Sequence, residues 1–324
     1  MSRTFKVLFI IGAALIVLGS LLFMTVFAMS GWNFSEISDG KYETNVYTFA
    51  EDIKIKDIII NIDTADVNII PTNSEETKVE CYESGKDTHT VYVMDDGALN
   101  VSFNDREWYE NISLFSFDSP KITIYLPVKE YGKLSIKGHT GELNVSKEFK
   151  FESINISVST GDVKCNASAF GNVNISASTG DILISDTSAK SVDLKVSTGD
   201  VSASSLLCSE GFSLKVSTGK ATLSDISCAD FTTSGDTGDL SMKNVLVNGK
   251  MYVERSTGEV KLDRCDAKDI EIKTSTGDVS GSVRTEKTFF ADSDTGNVST
   301  PQTVSEQICK ITCSTGDISI TVVP

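Results

Sequence analysis

Apolar side chains recur at fixed distances from a series of Thr-Gly pairs along most of the chain. The glycines of these pairs are spaced 19 or 20 residues apart: Gly141, Gly161, Gly180, Gly199, Gly219, Gly238, Gly258, Gly277, Gly296 and Gly316. Positions seven and five residues before each glycine, and two residues after it, are nearly always apolar, whereas the positions between them are polar. This two-residue alternation is typical of half-buried β-strands.

Each repeat therefore predicts a strand, a Thr-Gly turn, a second strand and a loop. A fixed period near 20 residues, without helical periodicity, is typical of a solenoid whose stacked coils bury one continuous core. We predict an all-β fold, a parallel β-solenoid with 19–20 residues per coil, in which the ten glycines serve as structural turn residues. Because crossovers between parallel strands are right-handed in most proteins, we expect a right-handed coil.

The region before the regular repeats shows similar alternation without the fixed spacing. We assign residues 49–133 to an irregular N-terminal β region of the solenoid and residues 134–324 to its regular part. The segment Ala65-Asp66-Val67 is interpreted as a decayed copy of the repeat. Residues 91–103 predict a hairpin with its turn at Gly97, and an aromatic-rich segment follows it.

An uncharged stretch of 22 residues, Val7 to Ala28, lies near the N-terminus and is long enough to span a bilayer. Arg3 and Lys6 precede it, and basic flanks favour the cytoplasmic side. We predict a cytoplasmic tail (1–6), a single transmembrane helix (7–29), a stalk (30–48) and an extracellular remainder. A cleavable signal peptide is the alternative, since residues 28–30 resemble a cleavage site.

Charge and cysteine content narrow the function classes. The chain has 45 acidic and 29 basic residues, a net charge of −16, which disfavours binding to the phosphate backbone of nucleic acids. Its seven cysteines are an odd number and do not form the dense set of a disulfide scaffold. We interpret them as small core residues, with a disulfide between Cys208 and Cys228 as the alternative.

An acidic residue follows the turn glycine in most repeats. Stacking would align the carboxylates of Asp162, Asp181, Asp200, Asp239, Asp278 and Asp317. Aligned oxygen ligands are candidates for calcium. However, Lys220 interrupts the row, and Asp is common in tight turns because it bonds nearby backbone groups. We therefore interpret this acid ladder as structural, keep calcium as the alternative and predict no cofactor.

The sequence predicts no catalytic residues. Its two histidines, His89 and His139, lie near no motif of an activated nucleophile, and His139 is interpreted as a variant turn residue. We therefore predict a non-enzymatic binding or scaffold module. The alternative is an enzyme acting on cell-wall glycans, which would need a cleft with at least two convergent titratable groups.

Several of these features together resemble a known family. The Ser-Thr-Gly-Asp-Val repeats, Ile124-Tyr125-Leu126-Pro127 before them, Ala65-Asp66-Val67 and the single N-terminal span resemble the bacterial adhesin-like family of β-strand repeat proteins, also called toastrack-type domains. The resemblance covers residues 53–324. It implies a bacterial envelope protein of unknown function, linked in some members to sensing of membrane or cell-wall stress, and it brings no catalytic residues.

The end of the sequence, residues 318–324, reads as a strand without a polar cap. An uncapped strand offers unpaired backbone groups to another chain. We expect this C-terminal edge to be open and to pair with a second copy or another envelope protein. The alternative is that Pro324 and the shortness of the strand are enough to block pairing.

Overall fold

The computed structural model describes residues 3–29, 42–84, 88–104 and 119–323, and within these ranges the chain forms one helix and 27 strands. The helix is α1 (Arg3–Met29). The strands are β1 (Tyr42–Phe49), β2 (Asp57–Thr64), β3 (Asp66–Thr72), β4 (Thr77–Ser84), β5 (His89–Val93), β6 (Ala98–Phe103), β7 (Lys121–Pro127), β8 (Glu130–Thr140), β9 (Leu143–Val145), β10 (Lys150–Thr160), β11 (Val163–Cys165), β12 (Ser168–Ala169), β13 (Asn172–Thr179), β14 (Ile182–Ser185), β15 (Ser188–Ala189), β16 (Ser191–Thr198), β17 (Val201–Cys208), β18 (Gly211–Thr218), β19 (Ala221–Cys228), β20 (Asp230–Thr237), β21 (Leu240–Thr257), β22 (Val260–Thr276), β23 (Val279–Val283), β24 (Thr288–Thr295), β25 (Val298–Ser299), β26 (Ile308–Thr315) and β27 (Ile318–Val322). The aromatic segment at 105–118, most of the predicted stalk and Pro324 lie outside the described residues.

The repeats stack as coils in parallel register, so the predicted all-β solenoid is confirmed. Strands that precede a Thr-Gly turn form one stack, here called the first stack, in which Ile154 pairs with Val173 and Val173 with Val192. Strands that follow the turn form the second stack, in which Val163 pairs with Ile182. These columns are buried along the solenoid. Like residues therefore lie on like residues, as the constant period requires.

The Thr-Gly turns stack as closely as the strands do. The turn glycines have φ between +126° and +155°, a region that L-residues rarely adopt. The N–H of Gly161 donates to the carbonyl oxygen of Thr179 at 2.9 Å, and the N–H of Gly180 donates to that of Thr198 at 3.0 Å. Each turn is thus joined to the next by a backbone hydrogen bond.

The irregular N-terminal region extends both stacks. In β2 and β3, Thr64 pairs with Thr140 and Val67 with Leu143, which confirms a decayed copy of the repeat. The predicted hairpin is also confirmed, because β5 and β6 are antiparallel and Gly97 has φ +86° in their turn. Residues 42–48, assigned to the stalk from their mixed polarity, instead belong to β1. Antiparallel pairing with β4 along eight residues holds this strand, while most of its side chains stay exposed.

The last two coils do not follow chain order. Strands β26 and β27 pair with β22 and β23 on one side and with β24 and β25 on the other. The prediction that residues 318–323 form the open end is therefore wrong, and Ile320 is only 3% exposed. The end of the solenoid is the coil of Gly296, where Val298 is 44% exposed. A partner that adds a strand here would meet β24 or β25.

The residues of the Gly296 coil explain its terminal place. An interior coil needs large apolar side chains in the core and hydrogen-bond donors along both strand edges. This coil has Ala291 and Ser293 at core positions, and Pro301, two residues after β25, has no N–H to donate. The Gly316 coil has Ile311 and Cys313 at the same two positions, both buried. Inserting the more apolar coil therefore removes more apolar surface from water.

A buried lysine stabilises the segments that lead into the last two coils. The side chain of Lys287 is fully buried, and its Nζ donates to the carbonyl oxygen of Ala267 at 2.6 Å and to Oε1 of Gln307 at 2.8 Å. It also donates to Oγ1 of Thr285 and forms an ion pair with Asp266 at 2.8 Å. Because Lys287 precedes β24 and Gln307 precedes β26, these bonds fix both strands against the preceding coil.

Helix α1 contains the uncharged residues 7–28. The side chains of α1 that the structure describes, mainly residues 14–25, are exposed. In the portion of the chain whose placement is described, no helix combines the length and apolar character needed to cross a bilayer. The membrane anchor therefore stays a prediction.

All seven cysteines are buried and free, and burial raises the pKa of Cys165, for example, to about 12.

Candidate functional site

A groove of about 830 Å³ runs along the outside of the second stack, next to the Thr-Gly turns. It crosses six coils, which at about 4.8 Å per strand gives a length near 24 Å. One wall is formed by the residues that follow the turns: Asp66, Glu142, Asp162, Asp181, Asp200 and Lys220. The floor is formed by outward-facing strand residues: Asn68, Asn144, Lys164, Leu183, Ser202 and Thr222.

Three wall residues of this groove, Asp162, Asp181 and Asp200, belong to the acid ladder, and the structure shows what their carboxylates do. Oδ1 of Asp162 accepts the backbone N–H of Asp181 at 2.8 Å, and Oδ1 of Asp181 accepts that of Asp200 at 2.7 Å. Oδ1 of Asp200 accepts the N–H of Lys220 at 2.7 Å. Each acid thus binds the turn of the next coil with one carboxylate oxygen.

The same pattern continues at the far end of the solenoid, in spatial rather than chain order. Oδ1 of Asp278 accepts the N–H of Asp317 at 2.8 Å, and Oδ1 of Asp317 accepts the N–H of Asn297 at 2.7 Å. Oδ1 of Asp239 accepts the N–H of Glu259 at 2.9 Å. All six calcium candidates therefore take part in turn-to-turn hydrogen bonds. Across the described residues, no cluster of three or more His, Cys, Asp or Glu side chains is arranged to hold a metal ion.

Replacing Asp181 tests the structural interpretation of the ladder. Asp181→Ala removes the acceptor of the Asp200 N–H and should lower the free energy of unfolding by about 1 kcal/mol. Asp181→Asn keeps an oxygen acceptor and should stay close to the wild type. Thermal melting with calcium and with a chelator is the measurement. A calcium-dependent rise in the melting temperature that both variants lose would instead identify the ladder as a metal site.

The charges in the groove are mixed. Lys121 lies at one end, beside Asp66 on the neighbouring strand, Lys220 lies at the other end, and Lys164 lies on the floor. Leu183 interrupts the polar floor and is 39% exposed. The groove thus offers hydrogen-bond donors and acceptors along its whole length, with one apolar contact near the middle. Such a surface suits an extended polar ligand and does not select for strong net charge.

Neither histidine belongs to this groove. His89 is buried, and its Nδ1 lies 2.8 Å from Oε2 of Glu83. His139 is exposed on the other side of the Thr-Gly turns, where its Nδ1 lies 2.8 Å from Oδ1 of Asp63. Sequence reasoning missed the second pair because 76 residues separate its members. Aligning the decayed repeat with the next one, Asp63-Thr64 with His139-Thr140, would have found it.

Comparison with known proteins places the chain among the toastrack domains. The family model described as Toastrack DUF4097 matches residues 55–210 and, a second time, residues 192–323. Together the two matches span most of the chain, including the wall and the floor of the groove. No curated protein matches the sequence.

Solved structures show weaker likeness. A "putative adhesin" from Bacteroides fragilis is 17% identical and has a TM-score of 0.40, and the match covers 87% of this chain and 97% of that protein's chain. A "putative lipid binding protein" from Parabacteroides distasonis is 16% identical, with coverages of 75% and 95% and a TM-score of 0.40. Another "putative adhesin" from the same species is 13% identical, with coverages of 88% and 98% and a TM-score of 0.37. Likenesses at this level say nothing about ligand or activity.

Proposed function

Because the chain belongs to the toastrack DUF4097 family, we propose that it is a binding module of the bacterial cell surface, with the solenoid displayed outside the membrane. The observation that carries the proposal is the continuous groove from Asp66 to Lys220. Its repeating carboxylates, amides, hydroxyls and ammonium groups suit a long polar polymer that presents similar groups at a regular spacing. A glycan strand of the cell wall has this character.

The described side chains of the groove favour binding over chemistry. Its lining contains rows of Asp, Asn, Lys, Ser and Thr from strands in fixed register, without histidine or cysteine among the described lining residues. Evenly spaced groups on a rigid sheet suit recognition of an extended chain. A glycan-active enzyme would need titratable groups that converge on one bond, and the acid ladder is spread along the groove.

We extend the proposal to anchoring by α1. The uncharged residues 7–28 and the exposed apolar side chains of α1, among them Leu18 and Leu22, support this. Basic residues before the span favour a cytoplasmic N-terminus. The role in sensing envelope stress, which the family resemblance implies, stays a prediction.

Binding of labelled wall glycan fragments to bacterial cells that produce the full chain tests the proposal. Lys164→Glu combined with Leu183→Asp should weaken binding about tenfold. The first substitution reverses a charge on the floor of the groove, and the second replaces its apolar contact with a charge that the ligand would cover. Lys215→Glu is the control for the lysine replacement, because it makes the same Lys→Glu change at an exposed position of the first stack.

The cellular location needs its own control. Protease added to intact cells should degrade the solenoid before the binding assay is interpreted, and full protection would contradict surface display. Equal binding by the groove variant and the Lys215→Glu control would reject the groove as the binding surface while leaving display intact.

A further inference from the structure

One column of side chains changes its chemistry at the N-terminal end of the solenoid. The position two residues before the turn glycine is serine in most coils, as in Ser159, Ser178 and Ser197. In the two coils before Ser159 this position holds Asp63 and His139. Since Thr64 pairs with Thr140 and Thr140 with Thr160, the three residues Asp63, His139 and Ser159 lie in consecutive coils of one column.

The order of these residues matches their roles in a nucleophilic triad. Nδ1 of His139 lies 2.8 Å from Oδ1 of Asp63, which leaves Nε2 as the nitrogen available to another group. Ser159 stands in the coil on the side of His139 opposite to Asp63, one strand spacing of about 4.8 Å away. A carboxylate that orients an imidazole, with a serine on its far side, is recognised by geometry rather than by sequence position.

A pocket of about 550 Å³ opens onto the column. Asp63, His139 and Ser159 all line it, together with the apolar side chains of Ile62 and Phe103 and the ammonium-bearing side chain of Lys137. The pocket lies on the first stack, across the Thr-Gly turns from the proposed glycan groove. It therefore combines a nucleophile, a base, an apolar wall and a positive charge at one place.

We propose that Asp63, His139 and Ser159 form an esterolytic site for short acyl esters, an activity separate from the binding function of the groove. Oγ of Ser159 bonds to the ester carbonyl carbon as its proton passes to Nε2 of His139. The bond from that carbon to the alcohol oxygen then breaks, and the alcohol leaves with the proton from His139. Water attacks the acyl-serine, gives its proton to His139, and releases the carboxylic acid as the proton returns to Ser159.

The other groups have supporting roles in this reaction. Asp63 holds the imidazole in one orientation and stabilises its protonated form. Lys137 is placed to stabilise negative charge on the carbonyl oxygen. Phe103 and Ile62 contact the acyl chain. Because the side chains of His139 and Asp63 are 75% and 51% exposed, water screens these interactions, and we expect a slow esterase.

Hydrolysis of p-nitrophenyl acetate and labelling by a fluorophosphonate probe, both on the purified full chain, test the proposal. Ser159→Ala should lower turnover at least about tenfold and abolish the label. His139→Ser should do the same, and it should fold, because serine is the usual residue of this column. Ser178→Ala is the matched control, since Ser178 lies in the same column one coil further on. Peptide mapping should place the label on Ser159.

Two results would overturn the site. Turnover that survives Ser159→Ala would show that His139 or the bulk surface, rather than the serine, attacks the ester. A label spread evenly over the serine column would show that Ser159 has no special reactivity. Circular dichroism spectra that match the wild type are required of every variant before its rate is compared.

Discussion

Replacement of Gly199 by alanine should lower the free energy of unfolding by at least about 3 kcal/mol. Gly199 has φ +142°, which strains any L-residue, and an added Cβ would overlap the carbonyl oxygen of Gly180 in the preceding coil. The turn has little freedom to move away. Its own N–H donates to Thr218 at 3.0 Å, and the neighbouring turn is held by the hydrogen bond from Gly180 to Thr198.

Urea denaturation followed by circular dichroism measures this effect. Gly211→Ala is the matched control, because an added Cβ there would meet only the carbonyl oxygen of Asp230, at the ordinary contact distance of 3.8 Å. That variant should differ from the wild type by less than about 0.5 kcal/mol. Equal stability of the two variants would mean that the turn stack can expand, contrary to the close contacts between its coils.

Ile320→Lys should cost at least about 4 kcal/mol and melt the last two coils. Ile320 is 3% exposed in β27, which lies between β23 and β25, so a lysine there would place a charge in the core. Since each coil of a solenoid is stabilised by contact with its neighbours, the Gly296 coil should unfold together with the Gly316 coil. If β27 were the open edge, the same substitution would be tolerated.

Limited proteolysis with mass analysis of the fragments is the measurement. Ile320→Lys should yield a product cleaved near residues 284–307, with the preceding coils intact. Ser319→Lys introduces the same side chain at the exposed neighbouring position and should resist cleavage as the wild type does. A protected Ile320→Lys variant would contradict the inserted position of β27.

The sequence predicts the stack well because stacking makes the signal redundant. The apolar columns around Gly161, Gly180 and Gly199 repeat one pattern, so an atypical residue in one coil does not hide the pattern that the other coils show. The same argument recovers the decayed copy at Asp66, whose register follows from the spacing of polar and apolar residues. The repeat period and the alternation of polar and apolar residues are local properties, which can be recognised directly in the sequence.

The order of the last two coils is not a local property. The spacings on either side of Gly296 are 19 and 20 residues, and both orders of stacking satisfy them. The choice depends on small differences, such as Ser293 against larger core residues and the missing N–H of Pro301. The contact of His139 with Asp63 escaped for a related reason, since it requires the register of two coils separated by a long insertion.

The inserted coil also has a consequence for biosynthesis. The Gly296 coil leaves the ribosome before the Gly316 coil, yet its final neighbour is β26 of that later coil. During synthesis, the earlier coil either stays without this strand partner or pairs temporarily with β22 and is later displaced. The solenoid therefore cannot be completed by adding coils one after another from the N-terminus. Its last coils reach their final order only when β26 and β27 have paired with β22 and β23, which requires that residues 308–322 have been made.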